Sequence, residues 1–178
     1  GLYSQEAIYI MTNSNYVIAW TVVPILVVAF SVKSIYYFYI NLMFYYKEAT
    51  KKIFIATLMG SFSDIMLAYI LIPKFDMVGA ALAFLFAKIV IVAMVVYLSK
   101  EHNVIGYKVR DMLKVIVPSL LFMFMGLWFS YTTYLTVFSW INVGYKTLIF
   151  IAYLLYIYYR NRQILIPSIA KIKEIIHG

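Results

Sequence analysis

The sequence predicts an all-α integral membrane protein with five transmembrane helices. Three observations carry this prediction. Of the 178 residues, 65% are hydrophobic and only 12% are charged, and the mean hydropathy is +0.90. A soluble domain of this length has no use for so much apolar surface. Apolar runs recur along the chain, each at or above the length of about 20 helical residues that a bilayer core requires. Most lysines and arginines stand at the ends of these runs, and they favour every second end.

Residues 1–15 form an outward-facing lead-in of mixed polarity, in which Asn13, Ser14 and Asn15 mark a turn or a helix start. The first run, 16–46, is longer than a span needs. It therefore tilts, projects beyond the membrane or kinks at Pro24. The basic loop 47–52 separates it from the second run, 53–72. Pro73 cannot extend a helix from its own N–H, so Leu71-Ile72-Pro73 is expected to close that run in a tight turn. Gly79-Ala80-Ala81 then opens the third run, 78–98. Gly79, Ala83 and Ala87 recur every four residues, and Ala56, Gly60 and Ala68 form a similar stripe on the second run. Small-residue stripes let helix backbones approach closely inside a membrane. A polar stretch from Ser99 to Arg110 leads to the fourth run, 112–131, which contains Pro118. The uncharged loop 132–139 precedes the fifth run, 140–159.

The tail, 160–178, is basic. After Pro167, Ser168 can cap a short helix with Ile169, Ile172, Ile175 and Ile176 on one face and Lys171 and Lys173 nearer the other. That pattern fits an interfacial amphipathic helix on an anionic leaflet, with a frayed, solvated tail as the alternative.

Orientation follows from the basic residues in short loops. The loop at 47–52, the stretch at 99–111 and the tail are rich in Lys and Arg, whereas the opposite side holds Lys74 and no other basic residue. The N-terminal segment is thus expected outside and the tail in the cytoplasm. Trp128, Tyr131, Tyr134 and Trp140 at the outer ends, and Tyr156, Tyr158 and Tyr159 at an inner end, read as interfacial aromatic belts.

Other function classes find little support. Cysteine is absent, and His102 and His177 both lie outside the apolar runs, so neither a metal site nor a cofactor is expected. No glycine-rich phosphate loop, paired catalytic carboxylates or nucleophile–base pair occurs, and no enzymatic activity is expected. The net charge of +8 sits at helix ends and does not suggest nucleic acid. The first residues lack both an initiator Met and the pattern of a signal peptide. A piece of a larger transporter is expected, with an N-terminal lobe as its partner alongside membrane lipids.

Four ionisable side chains fall within the apolar runs: Lys33, Asp64, Lys88 and Lys146. Such residues normally face a partner or a water-filled path. Lys146 lies near the start of its run and is expected to snorkel to the outer interface. Lys33 is 16 residues before Ala49 and Asp64 is 15 after it, so the two are expected at nearly equal depth as an intramembrane ion pair or charge-assisted hydrogen bond, with each facing a different helix elsewhere in the protein as the alternative. Lys88 is again near mid-depth. With Lys33 it is a candidate lining for the path of an anionic substrate; pairing with an acidic group elsewhere in the protein is the alternative.

These residues also carry a family resemblance. Leu71-Ile72-Pro73 followed by Val78-Gly79-Ala80-Ala81-Leu82-Ala83 is similar to a signature of bacterial polysaccharide and O-antigen flippases. Those flippases belong to the multidrug/oligosaccharidyl-lipid/polysaccharide exporter superfamily. Glu6-Ala7-Ile8 with Asn15-Tyr16-Val17-Ile18-Ala19 resembles the lead into a long helix in that family, and the Lys-rich loop at 47–52 sits where the family has one. The resemblance covers roughly residues 1–100. Asp76 stands where the family usually has Gly, Phe84 where Thr is common, and Asp64 near a frequent Asn. The resemblance implies part of one lobe of a two-lobed helical transporter that works by alternating access. Its substrate would be an undecaprenyl-pyrophosphate-linked oligosaccharide, flipped across the inner membrane for O-antigen or capsule assembly. The competing readings are an O-antigen polymerase or membrane acyltransferase of the same pathway, a multidrug or cation antiporter of the same superfamily, and a structural or assembly subunit.

Overall fold

In a computed structural model the protein is all-helical. The structure describes residues 1–12, 14–44, 47–100 and 108–177, with backbone alone at 14–15, 42, 47–50 and 163–177. A short helix α1 (Ser4–Met11) leads through a 3₁₀ segment (Ser14–Val22) into α2 (Val23–Met43). Then come α3 (Lys47–Leu98), α4 (Val109–Thr132) and α5 (Trp140–His177). Four stretches among the described residues are long and apolar enough to cross a membrane: Tyr16–Asn41, Lys51–Leu98, Val109–Thr132 and Trp140–Arg162. Their lateral faces carry Ile65, Tyr69, Leu121, Trp128 and Leu148 in the open. Exposed apolar surface on this scale fits a lipid environment.

The first long run divides at Val22. Up to that point the chain is 3₁₀; α2 then begins, with Pro24 as its second residue. There the missing N–H has no intrahelical partner to lose, and the fixed φ suits the first turn. The basic stretch 47–52 is not a loop: α3 begins at Lys47. Lys, Glu and Ala are good helix formers, and nothing in Lys47-Glu48-Ala49-Thr50-Lys51-Lys52 breaks the ladder.

α3 is continuous through Pro73 and breaks at Asp76, whose φ of 47° and ψ of −126° are non-helical. The expected stop at Pro73 therefore falls three residues later. Pro73 costs only the hydrogen bond to the carbonyl one turn earlier, and it stands in the last turn of the first arm, where little ladder remains to lose. The two arms of α3 pack antiparallel about this break. Gly60 on the first arm lies against the Ile91 side chain on the second, and Gly79 lies against the Leu71 carbonyl.

Two compact units divide the chain, Gly1–Leu120 and Leu121–Gly178. The first is centred on a cluster of Ile35, Tyr39, Ile40 and Met43 from α2 with Ile53, Ala56, Val92 and Val95 from both arms of α3. Val109, Met112 and Ile116 pack against it. Burial from water contributes little to such a cluster in lipid, so close packing has to hold it. The small-residue stripes lie where that packing needs them: Gly79, Ala83 and Ala87 are buried, as are Ala56 and Gly60.

In the second unit, α4 and α5 form an antiparallel pair. Met123, Gly126, Leu127 and Ser130 form the buried face of α4, a spacing of three and four. Tyr145 donates to the Met125 carbonyl at 2.8 Å, and Phe122 stacks near Tyr153 at 5.3 Å. The Ser139 carbonyl accepts from the Val143 N–H at 3.2 Å and starts α5. That helix does not stop at Tyr159 but runs on to His177. The expected sorting of isoleucines and lysines in the tail lies outside the described side chains, as does His177; His102 lies outside the described residues altogether.

Candidate intramembrane cation site

The ionisable residues of the first unit do not sort as their depths alone suggest. Lys33 is the eleventh of the 21 residues of α2, about 15 Å from either helix end at 1.5 Å per residue. Lys88 is 12 residues past the Asp76 break, near the middle of the second arm of α3. Both are half-buried, and both line one cleft of about 360 Å³ with Tyr36, Tyr37, Thr57 and Ser61. The Lys33 ammonium lies 5.4 Å from the centroid of Tyr37, and that of Lys88 lies 4.2 Å from the centroid of Phe84. Phe84 is in turn held by Phe30 at 5.6 Å between centroids. A ring face attracts a desolvated cation by up to about 2 kcal/mol without neutralising it.

Asp64 is half-buried but does not line that cleft. Among the described residues Lys33 and Asp64 form no ion pair; such a pair is found between Lys114 and Asp111, at 2.7 Å. The reason is register. Because α2 ends at Met43 and α3 starts at Lys47, the antiparallel midpoint is residue 45, not Ala49. Counting from there, Lys33 is 12 residues before the midpoint, Thr57 is 12 after it and Asp64 is 19 after it. Asp64 is thus seven residues, or about 10 Å, beyond the level of Lys33. The Lys33 side chain also runs the other way, toward Tyr37.

The cleft offers hydrogen-bonding groups as well as charge. The Thr57 hydroxyl donates to the Ile53 carbonyl at 3.0 Å, which leaves its oxygen able to accept. Ser61 has no hydrogen-bond partner among the described residues. Two cations and a spare hydroxyl at mid-depth suit an anion far better than a cation.

The signature residues at the hairpin have structural roles. Pro73 and Ala80 are exposed, and Gly79 and Ala81 are buried. A Cβ on Gly79 would fall 2.6 Å from the Leu71 carbonyl carbon, so the tight closure at Asp76 requires glycine here.

Lys146 departs from expectation. It is fully buried in the second unit rather than extended to an interface. Asn142, one turn earlier on α5, is also buried and donates to the Ser130 hydroxyl of α4 at 2.9 Å. Position in the run suggested snorkelling; the Asn142–Lys146 spacing of four, which puts two polar residues on one face, is the signal that points inward. Of the aromatic residues read as belts, Trp128, Tyr131, Trp140, Tyr156, Tyr158 and Tyr159 are exposed and Tyr134 is half-buried.

No family model matches this chain, and no similar protein was found among curated proteins or solved structures.

Proposed function

We propose that this chain is part of a flippase for an undecaprenyl-pyrophosphate-linked oligosaccharide in the bacterial inner membrane. In this reading α3 folds back at Asp76, the chain crosses the membrane five times, and the basic helix ends face the cytoplasm. The observation that carries the proposal is the pair Lys33 and Lys88 lining one mid-helix cleft, with no acidic side chain lining it among the described residues. An anionic headgroup crossing a low-dielectric layer meets a steep electrostatic penalty, and two cations at mid-depth reduce it. Ser61 and Thr57 add hydrogen bonds that a pyrophosphate oxygen or a sugar hydroxyl can use. The Leu-Ile-Pro and Gly-Ala-Ala elements at the hairpin support the same reading by resemblance. Alternating access would come from this bundle rocking against the rest of the transporter.

The test is export in cells that depend on the full-length protein. Lys33→Gln and Lys88→Gln should each lower the externally accessible lipid-linked oligosaccharide at unchanged protein level. The double variant should lower it by tenfold or more, since about 1.4 kcal/mol of lost stabilisation is a factor of ten. Undiminished export by the double variant would overturn the proposal.

A further inference from the structure

A second pocket lies in the first unit, where α2 meets the start of α4. It has a volume of about 450 Å³, with walls formed by Phe38, Met112, Val115 and Ile116. Phe38 and Val115 are exposed, so the apolar walls are open rather than sealed in the core. Tyr39 near the end of α2 belongs to the buried cluster against which Val109 and Met112 at the start of α4 pack.

Its charged edge carries one residue of each sign within a basic turn. Lys108 and Asp111 line the pocket, and Arg110 stands between them in sequence. The Lys114 ammonium binds the Asp111 carboxylate at 2.7 Å. Summed over Lys108, Arg110, Asp111 and Lys114, the charge of this turn is +2 (three cations less one carboxylate). Lys108 and Arg110 are both exposed, and neither forms an ion pair among the described residues.

An open apolar trough with an exposed lysine on its edge, in a turn of net charge +2 at the end of a long apolar helix, has the chemistry to take a phospholipid of negative charge. We propose that this pocket binds an anionic phospholipid, with its phosphate at Lys108 and Arg110 and an acyl chain along Phe38, Met112, Val115 and Ile116. The lipid would then brace α2 against α4 from the bilayer side. The charge selects the headgroup, and the trough separates a lipid from a free anion. This inference rests on membrane embedding and does not depend on the flippase reading.

Native mass spectrometry and thermal unfolding of the purified full-length protein test it. With phosphatidylglycerol supplied in excess over phosphatidylcholine, the wild-type protein should retain phosphatidylglycerol and unfold at a higher temperature. Lys108→Gln with Arg110→Gln should weaken retention by about thirtyfold, at about 1 kcal/mol for each basic side chain near an anionic surface. Ile116→Trp, which fills the trough and keeps the charge, should also displace the lipid. Should the double variant fold poorly, Ile116→Trp alone keeps the test open. Equal retention of phosphatidylcholine would overturn the proposal. So would equal stabilisation by soluble glycerol phosphate, or retention unchanged in both variants.

Discussion

Replacing Asp76 by glycine should make this protein more stable. Asp76 is the residue that ends the first arm of α3, and it holds φ at 47° with ψ at −126°. That combination lies outside the small left-handed helical well that Asn and Asp sometimes occupy, in a region that only glycine enters freely. A non-glycine residue held there costs about 1–3 kcal/mol. Asp76 is exposed and has no hydrogen-bond or ion-pair partner among the described residues, so its removal forfeits no visible contact. Against the relief stands the greater backbone freedom of glycine in the unfolded chain, about 0.5–1 kcal/mol. The net expectation is about 1 kcal/mol of stabilisation, or about 2–4 °C in unfolding temperature for a chain of this size. Asp76→Ala separates strain from charge, because it removes the carboxylate but keeps the Cβ. Unfolding in detergent should rank Gly above both Ala and wild type, with Ala close to wild type. A glycine variant no more stable than the alanine variant would refute the strain argument.

Further substitutions test the packing. Gly79→Ala pushes a Cβ into the Leu71 carbonyl, which is backbone and cannot step aside, so a loss of about 2–3 kcal/mol is expected in equilibrium unfolding. Gly60→Ala drives a Cβ into the Ile91 side chain next to its branch point, where a β-branched residue in a helix has little freedom to turn, and should lower stability in the same assay. Asn142→Ala and Ser130→Ala share one buried hydrogen bond, and a double-mutant cycle on unfolding should give a coupling of about 0.6–1.7 kcal/mol. For Lys33→Ala and Asp64→Ala the same kind of cycle should be additive within about 0.5 kcal/mol, because the register keeps the two apart.

Much of the fold is legible in the sequence because hydropathy reports directly on the solvent. The apolar runs, the burial of the Gly79, Ala83 and Ala87 stripe and the exposed aromatic residues all follow from composition and spacing. What composition cannot supply is register. A loop at 47–52 puts the antiparallel midpoint at Ala49, four residues past the one that the helix ends define, and so sets Asp64 opposite Lys33. The turn residue at the hairpin was hidden for a related reason. Proline is the familiar helix stop, but a proline in a last turn is tolerated, whereas the sharp reversal falls on a residue whose type gives no warning. Nothing in the spacing singles out Asp76, and Phe84, one turn before Lys88, proves to be the ring beneath it. Depth along the helix places Lys33 and Lys88 near the middle of their helical segments. Their sharing of one cleft depends on helix rotation, which the spacing of two isolated lysines does not encode.

The central claim is that Lys33 and Lys88 face one water-accessible cleft that favours anions. Single cysteines at positions 33, 61, 64 and 88 of the naturally cysteine-free chain, placed in the full-length protein in membranes, test it most directly. The account predicts that cysteines at 33, 61 and 88 react with water-soluble thiol reagents. At 61, where both lysines remain, an anionic reagent should react faster than a cationic one, and position 64 should react more slowly than the other three. Failure of 33, 61 and 88 to react from either side, or a preference at 61 for the cationic reagent, would contradict the account.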